Sequence, residues 1–290
     1  FVANDTRPDR LYDNVAWPGG AEADPAGIGF RFEELAAQAG VADPAAGMGV
    51  AGADYDGDGR EDLFVTNARG QVHGVFHGAE SVLVDPSFED VRRDLGPDFG
   101  AATGWGVSWG DLDLDTDLDL VLANGAIPVT DLAGDAELVQ AFANLAAPGS
   151  PTRLEDVGAA AGLTEVGPLL ARGSAAADFD NDGDLDIAVA TVGGPLSILE
   201  NRAATGNWLE VELDGFHPGA VITASLPDGR EVTRQLQAGS SYLSSEDPRG
   251  HFGLGEASEV RELVVTWPDG EVTTVDDVAA NQILVVEPPE

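Results

Sequence analysis

One acidic phrase is written three times in this chain: DYDGDGRED at Asp54–Asp62, DLDLDTDLD at Asp111–Asp119 and DFDNDGDLD at Asp178–Asp186. Each follows a Gly/Ala-rich run and leads straight into an apolar run of strand character. Those runs are Phe64-Val65-Thr66-Asn67, Val121-Leu122-Ala123-Asn124 and Ile187-Ala188-Val189-Ala190. Carboxylates at every second position cannot pack as a core, and they repel one another unless a divalent cation sits among them. Recurrence in the same context makes the chain a repeat architecture.

The spacing points to calcium. A calcium loop takes hard oxygen ligands at positions 1, 3 and 5, a backbone carbonyl at 7, and a sharp turn at 6 that favours Gly. The first phrase supplies Asp54, Asp56, Asp58, Gly59 at the turn, the carbonyl of Arg60, and Asp62 at position 9. The third supplies Asp178, Asp180, Asp182, Gly183, Asp184 and Asp186 in the same register. The second keeps Asp111, Asp113, Asp115, Asp117 and Asp119 but puts Thr116 where Gly is wanted. A β-branched residue at positive φ is costly, so this loop is expected to bind more weakly or turn differently. An EF-hand would need a bidentate Glu at position 12, where Val65, Leu122 and Val189 stand instead. The loops therefore join strand to strand. Solvated Asp-rich turns without a metal are the alternative.

The three phrases hold 14 Asp and Glu61, 15 of the 52 acidic residues, so calcium explains little of the net charge of −38. All 14 basic residues are Arg. Self-repulsion of this size weakens a compact state in dilute buffer and is screened by salt, which suits a high-salt organism. A GC-rich genome would account for the missing Lys but not for the acid. Nucleic acid and anionic membranes are disfavoured as partners, because the contacts they need come largely from Lys and Arg. No Cys is present, which excludes disulfides and thiol chemistry. No apolar run approaches the roughly 20 residues of a membrane span.

Set in register, the units repeat at about 57 and 67 residues with about four short strands each, which is the pattern of propeller blades. Ala-rich stretches at Leu35–Ala39 and Val157–Ala161, each followed by Gly, are expected to form single helical turns between blades. Phe1-Val2-Ala3-Asn4 aligns with Phe64-Val65-Thr66-Asn67. The chain is therefore expected to start inside a blade whose first strand and loop are missing, through processing or truncation. The alternative is a subunit whose open edge a neighbour completes by strand addition.

At these residues a family becomes recognisable. The F-x-E/D pattern, as in Phe88-Glu89-Asp90, and the A-G-L/V step, as in Ala161-Gly162-Leu163, alternate with the acidic loops. This resembles the FG-GAP/VCBS repeats of integrin-like β-propellers. From Asn207 onward the chain resembles the ASPIC/UnbV domain of cartilage acidic protein relatives. The residues that carry this are Asn207-Trp208-Leu209, Gly239-Ser240-Ser241-Tyr242-Leu243-Ser244, Asp247-Pro248-Arg249, His251-Phe252-Gly253-Leu254-Gly255 and Val265-Thr266-Trp267-Pro268-Asp269-Gly270. The resemblance implies a secreted or surface calcium-binding protein with an adhesive or matrix role, and no settled reaction.

Residues 207–290 read on their own terms as a compact β unit. Strand-length runs alternate or stay apolar, with Pro227-Asp228-Gly229 and Pro268-Asp269-Gly270 at turns. The expected fold is all-β: a partial propeller of four-stranded blades over residues 1–203, its first blade incomplete. A small sandwich or barrel follows at 207–290, with the linker near Ala203–Gly206.

Other chemistry is thin. His73 and His77 share one face of a strand-like segment and have no third ligand nearby, so they are read as surface or packing residues. Asp247, Arg249 and His251 form either a loop pinned by hydrogen bonds or a ligand pocket with an acid–base pair. Trp17, Trp105 and Trp109 are read as blade packing. No nucleophile elbow, phosphate loop or zinc motif appears, which weighs against an enzyme. Asn4-Asp5-Thr6 is a short glycosylation sequon that fits an outside location. Three functions follow: a calcium-stabilised module at the cell surface with protein or glycan partners, a self-assembling filament or sheath subunit, and an enzyme acting on a sugar or small metabolite in an interdomain cleft.

Overall fold

The computed structural model describes residues 1–81, 86–145, 152–202 and 205–289, so Ala203 and Ala204 of the expected linker lie outside it. Among the described residues the chain is all-β apart from two single helical turns, Ala36–Ala39 and Leu163–Val166. The first falls where the Ala-rich stretch was expected. The second comes later than expected: Val157–Ala161 makes turns, Gly162 enters the left-handed region at φ 80°, and the helical turn follows it.

Strands β1 (Tyr12–Ala16) and β2 (Phe30–Glu34) form a two-stranded sheet, and Val2 bridges Arg10 beside it. Strands β3 (Val50–Ala53), β4 (Asp62–Val65), β5 (Gly74–Ala79) and β6 (Ser87–Asp90) form an antiparallel meander. The next meander is β7 (Gly104–Gly110), β8 (Asp119–Asn124), β9 (Gln140–Asn144) and β10 (Leu154–Asp156). A three-stranded sheet follows in β11 (Ala171–Ala177), β12 (Asp186–Thr191) and β13 (Ser197–Leu199). These are propeller-type sheets; two of the four carry the expected four strands.

The apolar runs after each acidic phrase are continuous because successive residues of a strand face opposite sides, and here both sides are covered. In β4, Leu63 and Val65 face the first sheet's core while Phe64 faces the next. In β8, Leu120 and Leu122 face the sheet β3–β6 while Val121 and Ala123 face the sheet β11–β13. The inner strands approach closely: β7 packs against β3 on one side and β11 on the other. Glycine makes this possible, since a Cβ on Gly49 would collide with the Trp105 carbonyl oxygen, and one on Gly106 would lie 2.6 Å from the Ser174 nitrogen.

The last third of the chain builds two sheets around one core. Strand β14 (Asn207–Leu213) lies between β17 (Gly250–Gly255) and β20 (Gln282–Val286). The second sheet has the order β16 (Glu231–Gln235), β15 (Val221–Ser225), β18 (Glu259–Thr266), β19 (Val272–Ala279). Leu209, Val211, Phe252 and Leu254 from one sheet pack against Ile222, Ala224, Leu263 and Val265 from the other.

The segment between β16 and β17 leaves this sandwich and crosses the three inner strands. Ser241 exchanges backbone hydrogen bonds with Val50 of β3, and its hydroxyl accepts from the Val107 nitrogen of β7 and contacts the Ser174 hydroxyl of β11. Glu246 accepts from the Ala176 nitrogen, and Tyr242 sits edge-on to Trp105. No helix among the described residues is long and apolar enough to cross a membrane.

Candidate metal centre

Each acidic phrase connects the innermost strand of a sheet to the next one, and the three loops share one hydrogen-bond template. The position-1 carboxylate accepts from the nitrogens of positions 5 and 6. Asp54 takes Asp58 and Gly59 at 3.0 and 2.9 Å, Asp111 takes Asp115 and Thr116 at 3.0 and 2.8 Å, and Asp178 takes Asp182 and Gly183 at 3.2 and 2.9 Å. The position-5 carboxylates of Asp58, Asp115 and Asp182 accept from the nitrogens of Arg60, Asp117 and Asp184. Positions 4 and 6 both lie at positive φ in every loop: Gly57 and Gly59, Leu114 and Thr116, Asn181 and Gly183. Thr116 therefore turns as a glycine would, at φ 95°.

In each loop the carboxylates of positions 1, 3 and 5 offer oxygens within 4.8 Å of one another: Asp54, Asp56 and Asp58; Asp111, Asp113 and Asp115; Asp178, Asp180 and Asp182. An all-oxygen set of like charges, converging on one point from a tight turn, fits a hard divalent cation such as calcium. Arg60 and position-7 residues Asp117 and Asp184 stand where a backbone carbonyl would be offered. In the first loop the imidazole of His77 joins Asp56 and Asp62, with Nδ1 3.3 and 3.1 Å from their oxygens, and Arg60 pairs with Asp58. His73, in contrast, is fully buried away from the loop and accepts from the Asn67 nitrogen, so the two histidines do not share a site.

Position 9 has a use that the spacing did not reveal. Asp62, Asp119 and Asp186 are buried, and each braces the loop to the following strand. Asp62 accepts from the nitrogens of Tyr55 and Gly78, Asp119 from Leu112 and Asn144, and Asp186 from Phe179 and Asn201.

Burial, with the neighbouring carboxylates adding to it, pushes Asp111 up to about 7, Asp117 to about 6 and Asp119 to about 8. Arg234 near Asp111 opposes its shift. Asp54, Asp56, Asp62, Asp113, Asp180 and Asp184 are raised for the same first cause, burial. Crowded carboxylates of this kind are costly to ionise together until a cation lies among them.

The C-terminal sandwich sits on these loops. Arg230 donates to the Thr116 hydroxyl at 2.6 Å, and the Gly255 nitrogen donates to the Leu114 carbonyl at 2.8 Å. Trp208 lies over Gly183, whose carbonyl takes the His251 Nε2 proton at 3.0 Å. Arg249 pairs with Asp247 and buried Glu210 and donates to Asn181 and the Asp178 carbonyl. Asp247, Arg249 and His251 are thus a pinned loop. They also line a cleft of about 250 Å³ between the sandwich and the inner strands, with Glu210, Arg234 and Glu246. Trp109 stacks on Tyr55 at 5.4 Å as packing, and Trp105 lies under Arg172. The Asn4 amide is turned back onto the carbonyls of Val2 and Pro8.

Comparison with known proteins agrees with this geometry. Residues 54–122 match the model of an FG-GAP-like repeat, and residues 212–290 match the model described as ASPIC and UnbV. Cartilage acidic protein 1 of Xenopus tropicalis is 27% identical over 296 residues, covering 84% of this chain and 45% of the relative. The Mus musculus and Homo sapiens proteins of the same name are 26% and 25% identical over 300 residues. The chain spans about half the length of the curated relatives it matches, 44–45%. The third phrase lies outside the matched repeat yet carries the same template. By these matches, residues 54–122 are similar to an FG-GAP-like repeat and residues 212–290 to an ASPIC and UnbV domain.

Proposed function

We propose that the three loops each hold one calcium ion and that the chain acts outside the cell as a calcium-stabilised adhesion or assembly module. Its two units are residues 1–203 and 207–290. The observation that carries this is the shared loop template, which brings three carboxylates together in each of three places. Calcium supplies positive charge and ties the loop residues to one another. The chain's own contribution is the turn, held by the position-1 carboxylate, and the brace at position 9. The similarity to cartilage acidic protein 1 supports an extracellular setting, and the charge of −38 with no Lys supports a high-salt source. Thermal unfolding with calcium and with a chelator tests it: the melting temperature falls by many degrees on chelation, and a melt indifferent to both rejects it.

The polar cleft favours a second reading, a small-ligand site. Glu210, Glu246, Asp247, Arg249 and His251 converge there, and burial pushes Glu210 and Glu246 up to about 7. Binding of simple sugars, followed by perturbation of the Trp109 signal, supports it; no response across a sugar panel counts against it.

A further inference from the structure

We propose that the second and third acidic loops form a calcium-dependent seat for the ASPIC/UnbV domain, so that ions held there, and not the ion of the first loop, keep the two parts of the chain docked. This rests on the calcium reading above and goes beyond it by assigning different work to loops that share one template.

The contrast is in what covers the turns. A Cβ added to Gly57 or Gly59 of the first loop would meet nothing within 4 Å. The domain meets that blade outside the turn, through Gln237 to the Gly52 carbonyl and Glu61 and through Ser241 to Val50. The second loop is covered. Leu114 is 3% exposed, a Cβ on Gly253 would collide with the Asp111 carboxylate, and one on Gly206 would lie 2.5 Å from the Leu114 carbonyl oxygen. Its positive-φ residues supply the docking bonds, from the Leu114 carbonyl to the Gly255 nitrogen and from the Thr116 hydroxyl to Arg230. The third loop is covered in the same way: Trp208 over Gly183, His251 on the Gly183 carbonyl, Arg249 on Asn181 and Asp178.

Positions 4 and 6 are thus the seat, and the carboxylates around the ion position are what hold them. Asp111 fixes the Thr116 nitrogen and Asp178 fixes the Gly183 nitrogen. Leu114 and Thr116 keep left-handed backbone only where surrounding structure over-determines it. Removing the ion leaves like charges facing one another in the turn, and the turn then spends more time away from the docking geometry. Thr116 and Leu114, which break the glycine pattern, are explained as docking residues: Leu114 fills the interface and the Thr116 hydroxyl meets Arg230. Linkage makes the effect reciprocal, so docking also tightens calcium in these two loops.

The test uses the full chain with three substitutions that touch no ASPIC/UnbV residue: Asp56→Asn, Asp113→Asn and Asp180→Asn. Calcium stoichiometry is measured by titration calorimetry. Docking is followed by hydrogen exchange of the Gly255 amide and by the emission of Trp208, isolated against Trp208→Phe. Coupling of the usual size predicts that chelation speeds Gly255 exchange by about 5–150-fold. Asp113→Asn is expected to release Gly255, and Asp180→Asn to shift Trp208 to the red. Asp56→Asn is expected to lose an ion while moving neither signal. Amides in the β15–β18 ladder stay protected throughout. If calcium binds and both signals ignore it, or if Asp56→Asn moves them as the others do, the seat is rejected while the calcium reading stands. Loss of the β15–β18 protection together with Gly255 also rejects it, since that is global unfolding. No calcium binding at all rejects both.

Discussion

At the residue scale, one carboxylate type splits into two jobs. Positions 1, 3 and 5 gather around a point, while position 9 stitches the loop to the next strand. The two are separable by mutation. Asp186 is buried and accepts from the Asn201 and Phe179 nitrogens, so Asp186→Ala removes the acceptor of two part-buried backbone bonds. It is expected to cost about 1–3 kcal/mol in urea unfolding with chelator as well as with calcium. Asp180→Ala removes an exposed carboxylate and is expected to lower stability only in calcium, with a shift near zero under chelator.

The raised carboxylates also fix the sign of the pH dependence. Asp111, Asp117 and Asp119 titrate in the folded chain at about 7, 6 and 8, above the 3.8 of the ordinary group. Between those values the folded chain keeps protons that the unfolded chain has lost, so stability is full below about 4 and falls as pH rises through 6–8. In chelator, the melting temperature is expected to drop between pH 5 and 8. Calcium is expected to flatten or reverse that slope, because binding the ion releases the protons. A chelated protein that grows more stable over the same range contradicts this.

At the scale of elements, the inner strands and the segment from Ser240 to Asp247 are one unit. Three strands approach closely at glycines, and the ASPIC/UnbV segment is bonded across all three through Ser241, Ser174 and Ala176. Ser241→Ala leaves the buried Val107 nitrogen unpaired and is expected to cost about 1–3 kcal/mol. Gly49→Ala drives a methyl into the Trp105 carbonyl and is expected to cost at least as much, about 1–3 kcal/mol of overpacking. Chemical denaturation of both variants checks this, and unchanged midpoints would mean that the segment is not structural.

Much of this scale was legible. The strand runs after each phrase and the loop register follow from continuous apolar runs of strand length and from turn chemistry. The positive φ at Thr116 does not, because a β-branched residue there was expected to turn differently. The crossing segment was not legible. Gly239–Ser244 is small and polar and reads as a surface loop, and nothing local says that its hydroxyls face blades about 130 residues earlier. The brace at position 9 was hidden for a related reason, since its partners Gly78, Asn144 and Asn201 lie on the next strand or beyond it. His77 reaches the first loop because β5 turns it there, whereas the sequence paired it with His73.

At the scale of the molecule, calcium and salt act on different charges. Three calcium ions would cancel six of the 38 net negative charges and leave the rest. Added monovalent salt is therefore expected to raise the melting temperature with calcium already saturating, most steeply below the roughly 0.1 M at which the Debye length is about 10 Å. A melt flat in salt would separate the charge from habitat. The ASPIC/UnbV domain gains its position from covered loops and the crossing segment together, so the blades and the sandwich are expected to respond to calcium as coupled parts.

Counting bound calcium tests the central claim most directly. Native mass spectrometry of the chelated and recalcified chain is expected to show three ions per molecule, and two for Asp180→Asn. A chain that takes up none, or whose count is the same in the variant, contradicts the assignment of the three loops.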